Sequence, residues 1–450
     1  MLRVLRERTP AADVKIDSSK EEIRASRNRP SAASGKKKIA FVIAHLGPGG
    51  AQRVAANAAN ALAARGFDVH IVVIHHRPDA YRLDPRVVIQ SRFARSPERS
   101  VLDRDADETD DTELKTVTGD RPKEQGQGSG LLRNYVEPYL PAPIFAFLLR
   151  VLGQIVTTID LTRRALWLRG RIRMIGPDAV LSFLTQTNIL TVLATRGLAT
   201  HTAISERNDP RLQRHRPRVE FMRRIVYPWA DVVTANSRGA LAALESFVPK
   251  HKLAFLPNPL AAAPTSETAT FAAPTVITVG RLVEQKGIDV LLVAWAKVAA
   301  ALPDWRLAVV GDGPLADELK EQARGLGVED SVDWVGHVSD PFPLLRAAKL
   351  FVMTSRFEGT PNAMLEAMAC GLPSVVTDAS PGPCELIGTD ESPAGLIMPV
   401  EDAGATADAI VRLARDETLR RRFGLAARER VRAHDADHAI DVWLRLLRCE

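Results

Sequence analysis

The feature that most constrains this chain is a strand–loop–helix rhythm that runs, stops and starts again. From position 37, "KKIAFVIAHL" is an apolar run of strand length, "GPGG" a turn, "AQRVAANAANALAARG" an alanine-rich helix closed by Gly66, and "FDVHIVVI" a second strand. That order is the repeating unit of a parallel, doubly wound sheet. "DAVLSFL", "NILTVLATRGL", "THTAIS" and "ADVVTANS" continue it. The Pro- and Ala-rich stretch "FLPNPLAAAPTSETATFAAP" (255–274) interrupts it, as a boundary between domains would. The rhythm then restarts with "TVITVG" and runs through "GIDVLLVAWAKVAAAL", "WRLAVVG", "PLADELKEQARGLG", "VDWVG", "PFPLLRAA", "KLFVMTS" and "PNAMLEAMACG" to "PSVVTD". The expectation is two doubly wound α/β domains facing a cleft, at 37–255 and 275–435, with a linker at 256–274 and a C-terminal helix at 436–450.

Three segments stand outside the rhythm. Residues 1–36 are polar and end in a basic run, which reads as a disordered arm, and the charged stretch 94–130 reads as a disordered insertion. The "DRDAD" within that insertion is better taken as a solvated acidic run than as a metal-binding motif. A long helical stretch from about 131 to 174 is apolar at its centre and carries Arg163, Arg164, Arg169, Arg171 and Arg173 towards its end. Either these arginines form a solvated face, or the helix lies near a membrane and meets lipid head groups or an acceptor diphosphate. Its most apolar part, residues 142–161, contains Arg150 and Asp160, so it suits lying on an apolar surface better than crossing a bilayer.

At 450 residues the chain exceeds one ordinary core. A net charge of +6 and a pI near 9.3 favour an anionic partner: a phosphate-bearing substrate, an acidic lipid surface or nucleic acid. Cys370, Cys384 and Cys449 form neither a metal-ligand spacing nor an even framework, which fits a reducing cytosol, and Cys370 and Cys384 read as small buried or semi-buried residues rather than nucleophiles. The first twenty residues lack an apolar core, so no secretory signal is expected.

Ligands of open α/β sheets bind beyond the carboxyl ends of the strands. In the second half those ends carry "GRLVEQKG", "GDGP" (with Gly313), "GH" and "SRFEGTPNAMLE", which should converge on one crevice. In the last of these, Thr360 suits an N-cap and Pro361 the first helical position, so free N–H groups would face an anion there. Glu358 precedes that helix and Glu366 lies just over one turn inside it. Arg281 and Lys286 can add positive charge over a diphosphate. A diphosphate flanked by two carboxylates that accept hydroxyl hydrogen bonds is what a nucleotide-sugar offers, with ribose on one side and hexose on the other.

With these residues in view, "EGTPNAMLEAMACGLPSVVTD", "VGRLVEQKGIDVLL" and "VVGDGPLADEL" resemble the nucleotide-binding half of the retaining GT-B glycosyltransferases of family 4, from about residue 38 to the C-terminus. The resemblance implies a GT-B architecture. It also implies that Glu366 holds the ribose hydroxyls, Glu358 the donor sugar, and Arg281 and Lys286 the diphosphate, with Gly359, Thr360, Pro361 and Asn362 beside them. Gly49 and Gly50 resemble the family's glycine loop, although a plain tight turn would read the same way. "LSFLTQTN" and "ISERNDP" resemble the branch that elongates polyprenyl-diphosphate-linked sugars with a hexose or N-acetylhexosamine from a UDP donor. The expected acceptor residues are Thr185, Asn188, Glu206 and Arg207. His45 is a further candidate, with a purely structural role as its rival.

The resemblance implies sugar transfer with retention, for which same-face attack is preferred to a double displacement through Glu358, and no metal or other cofactor is expected. The expected partners are a nucleotide-sugar and a lipid-linked saccharide, met by a cytoplasmic protein peripheral to the inner membrane face. A GDP-hexose donor, a phospholipid or soluble acceptor, and a noncatalytic nucleotide-binding protein are the alternatives. "VVGDGP" is only a fragment of a dinucleotide fingerprint, which argues against an oxidoreductase. No basic patch interleaved with aromatic residues favours nucleic acid.

Overall fold

The computed structural model describes residues 36–47, 49–75, 80–91, 160–213, 215–260 and 274–450. The expectations for the N-terminal arm, the acidic insertion, the helix up to residue 159 and the linker from 261 to 273 lie outside these.

Two parallel sheets carry the fold. The first has seven strands: β1 (Lys38–Ile43), β2 (Asp68–Val73), β3 (Val88–Ser91), β4 (Ala179–Phe183), β5 (His201–Glu206), β6 (Val232–Ala235) and β7 (Leu253–Phe255), in the order β3-β2-β1-β4-β5-β6-β7. The second has six: β8 (Thr275–Val279), β9 (Arg306–Val310), β10 (Val332–Gly336), β11 (Leu350–Met353), β12 (Ser374–Thr377) and β13 (Gly395–Met398), in the order β10-β9-β8-β11-β12-β13. Each order reverses once, between β1 and β4 and between β8 and β11. Those reversals open the crevices in which doubly wound sheets bind ligands.

Central strands are apolar throughout because helices cover both sheet faces. Ile39 to Ile43 of β1 have no exposed surface. The helix Gly50–Ala64 buries Ala51, Val54, Ala55, Ala58 and Leu62, a 3.6-residue stripe, against one face. On the other face Leu168 and Ile172 come from a helix covering 160–175. Its arginines divide into two sets. Arg164 is buried, ion-paired to Asp160 at 3.0 Å, and Arg169 donates to the carbonyls of Ala194 and Arg196, so these two tether the helix, whereas Arg163 and Arg173 are exposed.

The C-terminal helix Ala436–Leu447 crosses back to the first domain. Trp443 sits against Phe41 and Phe183, with ring centroids 6.1 and 6.0 Å away, and donates its indole N–H to the Pro257 carbonyl at 2.8 Å. The stretch 256–260 is likewise part of the domain contact: Asn258 hydrogen-bonds across it and the Leu260 N–H donates to the His434 carbonyl.

Candidate active site

A cavity of about 720 Å³ lies where the strand ends of the two sheets meet. Gly49, Gly50, Arg207, Arg281, Lys286, Gly313, Glu358, Gly359, Thr360, Pro361 and Asn362 all line it. Residues from loops far apart in sequence therefore share one wall.

The loop after β8 is locked to the loop after β11. Gln285 donates to the Phe357 carbonyl at 2.9 Å, and the Arg356 N–H donates to the Gln285 carbonyl at 2.7 Å. Between them Gly287 takes φ +61°, and a Cβ there would overlap the Thr354 carbonyl, so only glycine lets the turn close. This clasp delivers Lys286, whose ammonium lies 2.5 Å from Oε1 of the buried Glu358. The Ser355 hydroxyl donates to the same oxygen at 2.8 Å.

Glu366 is the fifth residue of the helix Asn362–Ala369; it is buried and does not itself line the cavity, unlike Asn362 and Ala363 at the start of the same helix. Arg53, from the first domain, reaches its Oε1 at 2.9 Å, while Oε2 is buried with no partner. Burial pushes this carboxyl up to about 7, against the pull of Arg53. The helix start itself differs from expectation. Pro361 is the N-cap and no side chain caps the helix; the Thr360 hydroxyl donates instead to the Asn236 carbonyl in the other domain. The cap was lost to a tertiary contact, because an acceptor in the opposing domain lies within reach of the same hydroxyl.

Further contacts bring the domains together around the cavity. Asn258 donates to the Thr360 carbonyl at 3.0 Å and to Oδ1 of Asn362 at 2.6 Å, and Asn362 donates to the Gly50 carbonyl at 3.1 Å. Arg207 is buried, which lowers its guanidinium to about 9, and it donates to Asn258. Tyr81 also lines the cavity: its hydroxyl accepts from the Gly49 N–H and donates to the Gly49 carbonyl, each at 2.9 Å, and so holds the glycine loop. Neither Tyr81 nor Arg53 carried a sequence signal, since one follows a strand at no fixed spacing and the other resembles any surface arginine of an alanine-rich helix.

Comparison with known proteins follows this geometry domain by domain. Residues 49–259 match the family described as glycosyl transferase 4-like domain, and residues 269–430 match glycosyl transferases group 1. The chain carries a glycosyl transferase 4-like domain followed by a glycosyl transferases group 1 domain. An alpha-1,4-N-acetyl-D-galactosaminyltransferase of Campylobacter jejuni, named for a diNAcBac-PP-undecaprenol-linked GalNAc substrate, is 24% identical over 91% of this chain and 98% of its own. The exopolysaccharide phosphotransferase of Streptomyces coelicolor is 35% identical over 48% of this chain, but the match spans only 21% of that relative's length. S. aureus TarM, solved as a mutant with UDP, aligns with a TM-score of 0.65 at 14% identity, covering 91% of this chain and 99% of its own, which shows the GT-B fold.

The expected acceptor residues Thr185, Asn188 and Glu206 do not line the cavity; they form a buried network beside it. Thr185 donates to Glu206 at 2.9 Å, Tyr227 donates to the same carboxylate, and Asn188 donates to the Ser205 carbonyl at 2.9 Å. Burial raises the Glu206 carboxyl. His45 is buried behind the glycine loop, 3.4 Å from the Gln52 amide nitrogen. Leu184, which does reach the cavity, holds φ +74° directly before Thr185. For a branched residue that is a strained conformation of the kind kept at functional sites.

Proposed function

We propose that the chain transfers a hexose or N-acetylhexosamine from a nucleotide-sugar, a UDP-sugar by preference, to a lipid-linked saccharide with retention of anomeric configuration. The observation that carries this reading is the unpartnered Oε2 of Glu366, whose other oxygen is ion-paired to the cavity-lining Arg53, together with Glu358 and Lys286 paired on the lining of the same cavity. A buried acceptor oxygen without a donor is costly, and a ribose hydroxyl would satisfy it. The diphosphate then spans the N-terminus of the helix Asn362–Ala369, within reach of Arg281 and Lys286.

In the step itself the bond between the anomeric carbon and the diphosphate oxygen breaks as the acceptor hydroxyl bonds to the same face. The departing phosphate oxygen takes the acceptor proton. Arg281, Lys286 and the helix N–H groups meet the charge that develops on the leaving group, a role we assign to them rather than to a metal ion. Glu358, ion-paired to Lys286, orients the sugar hydroxyls. Support for a lipid-linked acceptor comes from the Campylobacter relative's name, and on this reading the enzyme works peripherally at the cytoplasmic membrane face. No helix among the described residues is long and apolar enough to cross a membrane.

The test is nucleotide release by the purified chain across a panel of UDP- and GDP-sugars, with and without polyprenyl-diphosphate-sugar acceptors. UDP release that requires the acceptor and falls at least about hundredfold in Glu358→Gln and Glu366→Ala is the expected result. Release that is indifferent to both substitutions would remove the two carboxylates from the mechanism.

A further inference from the structure

A second hollow, of about 370 Å³, is lined by the loop that leaves β5, the helix Pro217–Val226 and the C-terminal end of the helix Arg238–Leu244 with the residues after it. The loop leaving β5 links it to the donor cavity: Arg207 and Asn208 line the cavity, and Arg211 and His215 line the hollow. The helix Pro217–Val226 adds Glu220, Arg223 and Arg224, and Phe247 closes the floor.

Its charges are imperfectly matched. The Arg223 side chain is 6% exposed and donates one Nη to Glu220 at 2.5 Å, yet its Nε is buried without a partner. Arg224 is exposed and joins no carboxylate among the described residues; both guanidiniums lie over the Phe247 ring, at 5.5 and 5.8 Å. His215 has Nε2 at 3.0 Å from the Thr185 hydroxyl and a buried Nδ1 with no partner. Two clustered arginines with an unsatisfied buried donor suit an oxyanion with several acceptor oxygens.

The outer flank of the same helix is apolar. Phe221 is 63% and Ile225 40% exposed, one turn apart, and Leu212 on the adjoining loop is 42% exposed. Arg224 lies between this flank and the hollow, and Arg216 and Arg218 are exposed at the helix start. Apolar side chains bordered by arginines are the pattern of a helix that rests in a lipid interface.

We propose that this hollow binds the phosphoryl group of a lipid while Phe221 and Ile225 rest on the apolar side of the same lipid surface. The inference rests on the reading of a lipid-linked acceptor and says where that acceptor's phosphate sits: one loop away from the donor cavity. Arg223 and Arg224 hold the oxygens, and the saccharide extends along residues 207–211 towards Glu358.

The full chain is tested by flotation with phosphatidylcholine vesicles that carry polyprenyl diphosphate, or phosphatidylglycerol in its place, and by competition with inorganic pyrophosphate; UDP binding is measured in parallel. The proposal expects capture by polyprenyl diphosphate vesicles, weakened about tenfold or more in Arg224→Gln and in Arg223→Lys with UDP affinity unchanged. Phe221→Ser with Ile225→Ser should lose vesicle capture but keep pyrophosphate binding. Equal capture of wild type and both arginine variants, or capture by phosphatidylglycerol vesicles alone, overturns it. Because these readouts need no turnover, arginine-dependent capture by a chain that releases no nucleotide would sink the transfer reaction and leave this site standing.

Discussion

Glu366 is the residue at which electrostatics and the proposed function meet. Its carboxyl is pushed up to about 7 by burial, so near neutral pH it is poised between forms, and a ligand that donates a hydrogen bond to Oε2 favours the anion. Ligand binding should therefore release a proton, and UDP affinity should rise with pH through about 7 and level off above it. Titration calorimetry in buffers of different ionisation enthalpy would measure this, and Glu366→Gln should abolish the dependence. For the free protein the sign is opposite. A carboxyl whose folded value exceeds the usual 4.5 contributes stability that is present at low pH and is lost as pH rises through about 7. That loss amounts to at most about 3 kcal/mol, and it should vanish in the Gln variant.

At the scale of elements, the C-terminal helix matters out of proportion to its length. Trp443 fills a core made by β1 and β4, strands that precede it by hundreds of residues, so the helix straps the second domain onto the first. Trp443→Ala should cost about 3–5 kcal/mol and lower the thermal midpoint, with the loss appearing in the first domain's unfolding. The helix as such was legible from its sequence; its docking site was not, because an apolar stripe says only that something covers it. Strands β3, β7 and β13 were missed for a related reason. They are three or four residues long and lie at sheet edges, where half-covered faces remove the continuous apolar run that marks β1 or β8.

For the whole molecule, the decisive contact is the approach of the two domains at Gly359. A Cβ at this position would overlap the Arg207 carbonyl and press on the Asn236 side chain. Gly359→Ala should force the domains apart while leaving each fold intact. Transfer would fall by about a hundredfold for a displacement near 1 Å, with the thermal midpoint little changed. Small-angle scattering would register the opening; unchanged scattering with full activity would show that the contact is dispensable.

Along one chain, the βα rhythm, the two-domain division and the crowding of Glu358, Lys286, Arg281 and the 359–362 turn at strand ends were already determined, because strand periodicity and loop position are local properties. Which oxygens stay unsatisfied was not. The pairing of Glu366 with Arg53, the diversion of Thr360 to Asn236 and the enclosure of Thr185, Asn188 and Glu206 in their own network all depend on partners many residues away. Hydrogen-bond satisfaction is decided by what lies within about 3 Å after folding, and no spacing in a sequence carries that distance.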